Sequence, residues 1–211
     1  MTAPLTILYT GGLRGNLNGL PRYAPLLRAR RTHATGRVLL LDTGDACAPT
    51  SEPCAITNGR AAPIVLDAMG YHAANVTGYL DDKARTRLQH NYLNIALVSP
   101  GYPYIEQGIA YAAVPPEAIP HQLHIALDNV NGQATLSDKP TLNRIYTLWL
   151  ASVQAWQAGE AVITWDGDIP TIARSIIHDI PRQTRPDATI AGTVDFVMDE
   201  VRYLKRIHRR E

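Results

Sequence analysis

Leu5-Thr6-Ile7-Leu8-Tyr9-Thr10-Gly11-Gly12-Leu13-Arg14-Gly15 is the stretch that decides the fold. Leu5–Thr10 is a short, almost continuous apolar run that stops at a pair of glycines. Such a run, without polar alternation, is the pattern of a strand buried on both faces. A helical pattern over Pro21–Arg31 follows, with Pro21 suited to a first helical turn. A second apolar run, Val38–Asp42, then enters Leu41-Asp42-Thr43-Gly44-Asp45. Strand, helix and strand in this order predict a parallel pair and an α/β fold.

Further strands are predicted at Ala73–Val76, Leu93–Ser99, Ile109–Val114, Gln122–Ala126, Ala161–Thr164 and Ala188–Ala191. Helices are predicted at Ala61–Met69 (stopped by Gly70), Asp81–His90, Leu142–Ala158, Thr171–His178 and Val194–Arg209. Trp149 and Trp156, seven apart, would share one face of the helix over Leu142–Ala158 as a core stripe. The polar stretch Asn129–Asn143 divides a strand-rich section from that helix. In the last helix Val194, Val197, Val201, Leu204 and Ile207 recur at spacings of three and four. Its end is crowded with Arg202, Lys205, Arg206, Arg209 and Arg210, where cations suit the helix dipole. The helix is expected to dock its first half on the core with a solvated basic tip; the alternative is a stripe that faces another chain.

Composition sets the outer bounds. A chain of 211 residues with 45% hydrophobic and 18% charged residues is an ordinary globular protein, and 1–211 is expected to be a single domain. The net charge of +1 gives no field that would draw nucleic acid or an anionic membrane. No apolar run approaches the roughly 20 residues that span a bilayer. Met1-Thr2-Ala3-Pro4 has neither the basic nor the long apolar segment of a secretory signal, so a cytoplasmic location is expected. Cys47 and Cys54 are too few for a disulfide framework or a zinc site. In that compartment two reduced thiols are expected, although seven-residue spacing could close a disulfide in an oxidising one.

A third segment, Asn75-Val76-Thr77-Gly78-Tyr79-Leu80-Asp81-Asp82, completes a set with the two strand ends quoted above. In order, the three resemble the calcineurin-like metallophosphoesterases, most closely the 5'-nucleotidase branch. There the first strand ends Thr-Asn-Asp-Leu-His-Gly, the second Gly-Asp and the third Gly-Asn-His-Glu. The resemblance implies a sandwich of two mixed β-sheets flanked by helices, in four αββα layers, without the C-terminal nucleotidase domain. It also implies a dinuclear metal centre, whose two cations lie about 4 Å apart and activate a bridging oxygen.

The residues that should hold those cations are mostly replaced. Gly12 stands where the family has its first Asp, and Arg14 where it has its first His. Glycine has no side-chain donor, and a guanidinium cannot ligate a cation. Asp45 matches the bridging carboxylate. Tyr79 and Leu80 replace Asn and His, and Asp81 falls at the acidic position. More loosely, Ala161–Gly167 resembles the strand that ends in a ligand His, which puts Asp166 in its place. Likewise Asp187–Asp195 resembles the strand ending Gly-His-x-His, with Thr193 and Asp195 in place of the two imidazoles.

These losses, taken together, imply a pseudoenzyme: a fold kept for binding or assembly, with no cofactor. The alternative is a remodelled phosphoric ester hydrolase. In it Asp45, Asp81, Asp166 and Asp195 would form an oxygen-rich site for magnesium or calcium, with Arg14 stabilising transferred phosphate. Gly11, Gly12 and Arg14 also permit an anion site, from backbone N–H groups and a bidentate fork. The plainer reading is a tight turn with Arg14 paired to Asp45 or Asp81. A phosphate-containing small molecule or a protein is the expected partner. His121 and His124, spaced His-x-x-His on a predicted strand, would point to opposite faces and make no metal pair.

Overall fold

The computed structural model describes residues 3–113, 123–130, 133–139 and 145–208. The chain opens with β1 (Leu5–Thr10), a 3-10 turn at Leu17–Gly19, α1 (Leu20–His33) and β2 (Arg37–Asp42). After α2 (Glu52–Ile56) and α3 (Ala61–Ala68) come β3 (Ala73–Asn75), α4 (Asp82–Asn91) and β4 (Ala96–Val98). A strand-rich half follows: β5 (Tyr104–Glu106), β6 (Ile109–Ala112), β7 (Leu123–Val130), β8 (Thr135–Lys139) and β9 (Ile145–Ala151). Last come β10 (Gln157–Asp166), β11 (Ile169–Asp179) and α5 (Ala188–His208).

Two mixed sheets stack face to face. The first has the order β11-β10-β1-β2-β3-β4, the second β5-β6-β7-β9-β8. In the first sheet β1 to β4 run parallel while β10 and β11 are antiparallel to their neighbours. The carboxyl ends of β1, β2 and β3 therefore share one edge, the edge where open α/β sheets place their sites. The α/β fold of two mixed sheets flanked by helices is what the sequence leads one to expect.

β1 is buried along its whole length because it faces two cores. Leu5, Ile7 and Tyr9 join Leu39, Leu41, Ile125 and Leu148 between the sheets. Leu8 points the other way, to Leu40, Ala74 and the apolar faces of α1, α3 and α5. Both faces being dry explains why these strands read as unbroken apolar runs. In α5 it is Ile190, Val194, Val197 and Val201 that pack on the helical core. That face of the helix docks on its own chain and not on another.

Three elements depart from the sequence expectation. The helix over Leu142–Ala158 is instead β9 and the start of β10, described from Ile145. Tyr146, Leu148 and Leu150 enter the inter-sheet core at period two, and apolar Ile145 before them and Trp149 among them hide the alternation. Trp156 lies in the β9–β10 turn at φ 69°, against Tyr23 at 5.9 Å between ring centroids. Thr171–His178 is not a helix but part of the edge strand β11, where His178 sits 2.9 Å from the buried carboxylate of Glu160. Ala188–Ala191 is not a strand but the first turn of α5, its start fixed by Asp187, whose carboxylate accepts from the Ile190 amide. The stretch Asn129–Asn143, expected only to divide two sections, holds the end of β7 and the strand β8; its residues 131–132 and 140–143, and His121, lie outside the described residues, while His124 is buried on β7.

No helix among the described residues is long and apolar enough to cross a membrane.

Candidate functional site

Beyond the ends of β1 and β2 the parallel pairing does not stop; it continues into the two loops. The Gly12 amide donates to the Gly44 carbonyl at 2.9 Å, Arg14 to Asp45 at 2.7 Å, and Gly15 to Ala46 at 2.8 Å. To keep these bonds the chain turns through left-handed conformations at Gly12, Arg14 and Gly15 on one side and Gly44 and Asp45 on the other. For Arg14 and Asp45 this is a sparsely populated region, held by the bonds on either side. The amides of Gly12, Arg14 and Gly15 are turned toward the second loop and are not presented to a ligand.

Arg14 and Asp45 are both exposed, and they do not pair. Among the described residues Arg14 makes no ion pair, contrary to the expected bond with Asp45 or Asp81. The left-handed turns aim each side chain outward from the stitched backbone. Asp81 is engaged locally, since its carboxylate caps α4 and accepts from the Ala84 amide at 2.7 Å.

Under the loops lies a buried polar cluster that joins three elements. Asp42, fully enclosed at the end of β2, accepts from Thr10 at 3.0 Å and from the Gly44 amide at 3.1 Å. Thr10 also shares a 2.9 Å bond with the Tyr71 hydroxyl. Burial pushes the Asp42 carboxyl up to about 8, against the lowering effect of those hydrogen bonds. Asn75, at the end of β3, donates to the Leu127 carbonyl at 2.6 Å and so ties the first sheet to the second. Sequence reasoning singles out none of these residues for a site, although Asp42 stands within the quoted Leu41–Asp45 stretch.

The third loop carries Tyr79 and Leu80. Leu80 is 8% exposed and belongs to the helical core. Tyr79 is half-buried, and its hydroxyl is enclosed without a hydrogen-bond partner. Burial raises that phenol well above its ordinary range, and the charges of Asp42 and Asp45 raise it further. Leu80 and the ring of Tyr79 thus close the third loop with apolar surface packed on the helical core.

Asp166 and Asp195 do not come to this edge. β10 is antiparallel to β1, with Leu5 opposite Ile163 and Tyr9 opposite Gly159. Asp166 therefore sits beyond the start of β1, at the opposite end of the sheet from Asp45. The resemblance of Ala161–Gly167 to a ligand-bearing strand end fails on strand direction. Asp195 is on the exposed side of α5. Among the described residues no group of three or more His, Cys, Asp or Glu side chains is placed to hold a metal. The dinuclear centre of the family does not fit the donors present here: a glycine, an exposed guanidinium, a leucine, and one carboxylate turned outward. Nor do the four carboxylates form the oxygen-rich set for magnesium or calcium.

Cys47 and Cys54, expected as thiols, form a disulfide with 5.6 Å between their Cα atoms. It fastens the loop after β2 to α2 and packs against the glycine turn. A Cβ on Gly15 would lie 3.0 Å from the Cys54 sulfur and 2.1 Å from the Ser51 hydroxyl. Closing so short a loop is worth roughly 2–3 kcal/mol. Cys47→Ser with Cys54→Ser is thus expected to lower the stability read from urea unfolding by that free energy, with a lower midpoint, and reductant should do the same to the parent chain. Equal midpoints with and without reductant would mean that the sulfurs are not bridged.

Beside the third loop two clefts run together. One, of about 480 Å³, is lined by Pro49, Cys54, Asn58 and Tyr79. The other, of about 820 Å³, extends from Tyr79 and Asp81 along α4 over Ile64 and Leu88. Arg60, Lys83 and Arg87 stand on the wall of the second; Arg60 pairs with Glu200 at 3.1 Å.

Among solved structures the chain is similar to the calcineurin-like phosphoesterase YfkN from Bacillus subtilis, with a TM-score of 0.62 over 97% of this chain and 100% of that one. The two are 14% identical, so the likeness is one of fold. A hypothetical protein from Thermus thermophilus aligns over 83% of this chain and 100% of its own, at 11% identity and a TM-score of 0.48. No family model and no curated protein matches the sequence.

Proposed function

We propose that this chain is a non-catalytic relative of the calcineurin-like phosphoesterases, nearest to their 5'-nucleotidase branch, that keeps the fold as a binding or assembly scaffold. The observation that carries this is the chemistry of the strand ends. Gly12 and Leu80 offer no donor, Arg14 brings a positive charge, and Tyr79 seals its hydroxyl inside. Two cations need several carboxylates and imidazoles converging on one point. Here Asp45 joins no group of three or more His, Cys, Asp or Glu side chains among the described residues.

A binding role has somewhere to act. Arg14 holds a guanidinium without an ion pair among the described residues at the mouth of the old centre, a fork suited to a phosphate or carboxylate. The cleft along α4, about 820 Å³ with an apolar floor and cationic wall, is of the size that takes a small molecule. The cytoplasmic location expected from sequence sits poorly with the Cys47–Cys54 bridge, which favours an oxidising compartment.

The test is metal analysis of the protein prepared with excess manganese, alongside turnover of nitrophenyl phosphates with several divalent ions. The expected result is no tightly held ion and no turnover above that of the buffer. Two retained ions per chain, with hydrolysis that chelation abolishes, would overturn the proposal.

A further inference from the structure

α5 carries a second pattern on the face turned away from the core. Phe196, the chain's single phenylalanine, is 69% exposed, and Tyr203, seven residues on, is 58% exposed. Seven residues are close to two helical turns, so the two rings lie in one row. Along the neighbouring flank run Asp195, Asp199, Arg202 and Arg206, all exposed: acidic in the first half of the row, basic in the second. The charges on the inner flanks are engaged elsewhere in the chain, Glu200 with Arg60 and Lys205 with Glu52. On the outer flank Asp199 and Arg202 meet only each other, and Asp195 and Arg206 make no ion pair among the described residues.

We propose that this outer face is where two copies of the chain associate, their α5 helices antiparallel about a two-fold axis at the level of Glu200. The pattern is self-complementary under that operation, as an isologous contact requires. Reversing the helix about residue 200 brings Phe196 of each copy beside Tyr203 of the other. It sets Asp199 opposite Arg202 and Asp195 opposite Arg206. A two-fold lying between the helices keeps each flank on its own side, so rings meet rings and charges meet charges. A parallel pair would instead put the two charged flanks on opposite sides of the contact and leave their charges without partners. The aromatic pair supplies the apolar anchor of the contact, and the four charge pairs at its edge fix register and direction.

The contact is independent of the catalytic reading, because it uses no residue of the strand-end loops or the α4 cleft, and Asp195 lies away from both on the exposed side of α5. Sedimentation and turnover can therefore fail separately.

Sedimentation velocity over a concentration series tests it. The parent chain is expected to dimerise reversibly with a dissociation constant in the micromolar range, weaker in high salt. Phe196→Ala should weaken the dimer at least tenfold. The double reversal Asp195→Arg with Asp199→Arg should be monomeric, as should Arg202→Asp with Arg206→Asp. Mixed in equal amounts, these two variants should associate with each other at close to the parent affinity. All these positions are exposed, and circular dichroism checks that each variant stays folded. A parent chain that stays monomeric throughout, a reversed variant that still dimerises alone, or a mixture that fails to associate would each overturn the proposal.

Discussion

Between about pH 4 and pH 8 the chain is expected to lose stability on the order of 5 kcal/mol, and Asp42→Asn is expected to abolish that loss. The cause is burial. The Asp42 carboxyl, enclosed at the end of β2, is pushed from an ordinary carboxylate value up to about 8. Over that window the folded chain keeps a proton that the unfolded chain has given up. Stability then falls as pH rises, fully present below about 4 and gone above about 8. Asparagine can keep both contacts: its carbonyl accepts from the Gly44 amide, and its amide donates to Thr10, whose hydroxyl can turn toward Tyr71. His72, held below its ordinary value mainly by burial, works in the opposite sense, and Asp187, also held below its ordinary value, does so in acid. Both are common to the two proteins, so the difference between their urea-unfolding curves isolates Asp42. A constant difference from pH 4 to pH 9 would mean that Asp42 is ionised in the folded chain. Since a domain of this kind has only about 5–15 kcal/mol in all, the effect is large.

The frame of the site is legible in sequence because it is made of strand ends. β1 and β2 announce themselves as apolar runs closed by glycine and aspartate, and α1, α3 and α4 fall within a few residues of their expected bounds. Strand direction is not legible in the same way. Ala161–Gly167 reads correctly as a strand, but composition cannot say that it runs antiparallel to β1, and that alone moves Asp166 to the far end of the sheet. The same applies to Arg14. Its type suggests an internal ion pair, whereas the backbone bonds between the two loops decide where its side chain points. At Ala188–Ala191 two local signals compete: Asp187 is a good helix N-cap, and the likeness to a Gly-His-x-His strand end hides it. The two stripes of α5 show the limit from the other side. Periodicity locates the buried valines correctly, while the exposed Phe196 and Tyr203 become meaningful only when the docked face is known.

Gly159→Ala is expected to cost about 3 kcal/mol or more, a large penalty for a single methyl group. Gly159 stands directly opposite Tyr9 across the antiparallel β1–β10 pair, and the Tyr9 ring is fully buried between the sheets. A Cβ on Gly159 would lie 1.9 Å from the ring's Cζ and 2.3 and 2.4 Å from its two Cε carbons. Neither partner can yield, because the ring is packed on its other side by the second sheet and the glycine is held in mid-strand. Aromatic rings lying over a cross-strand glycine are a device that pins register. The measurement is a double-mutant cycle by urea unfolding, with Tyr9→Leu as the second change. If the ring is the obstacle, the alanine should cost much less in the Tyr9→Leu background than in the parent chain. Equal costs in the two backgrounds would mean that Tyr9 does not cover Gly159, and the β1–β10 register would fall with it. The proposed loss of metal binding rests on the same register, because it is what carries Asp166 away from Asp45 to the opposite end of the sheet.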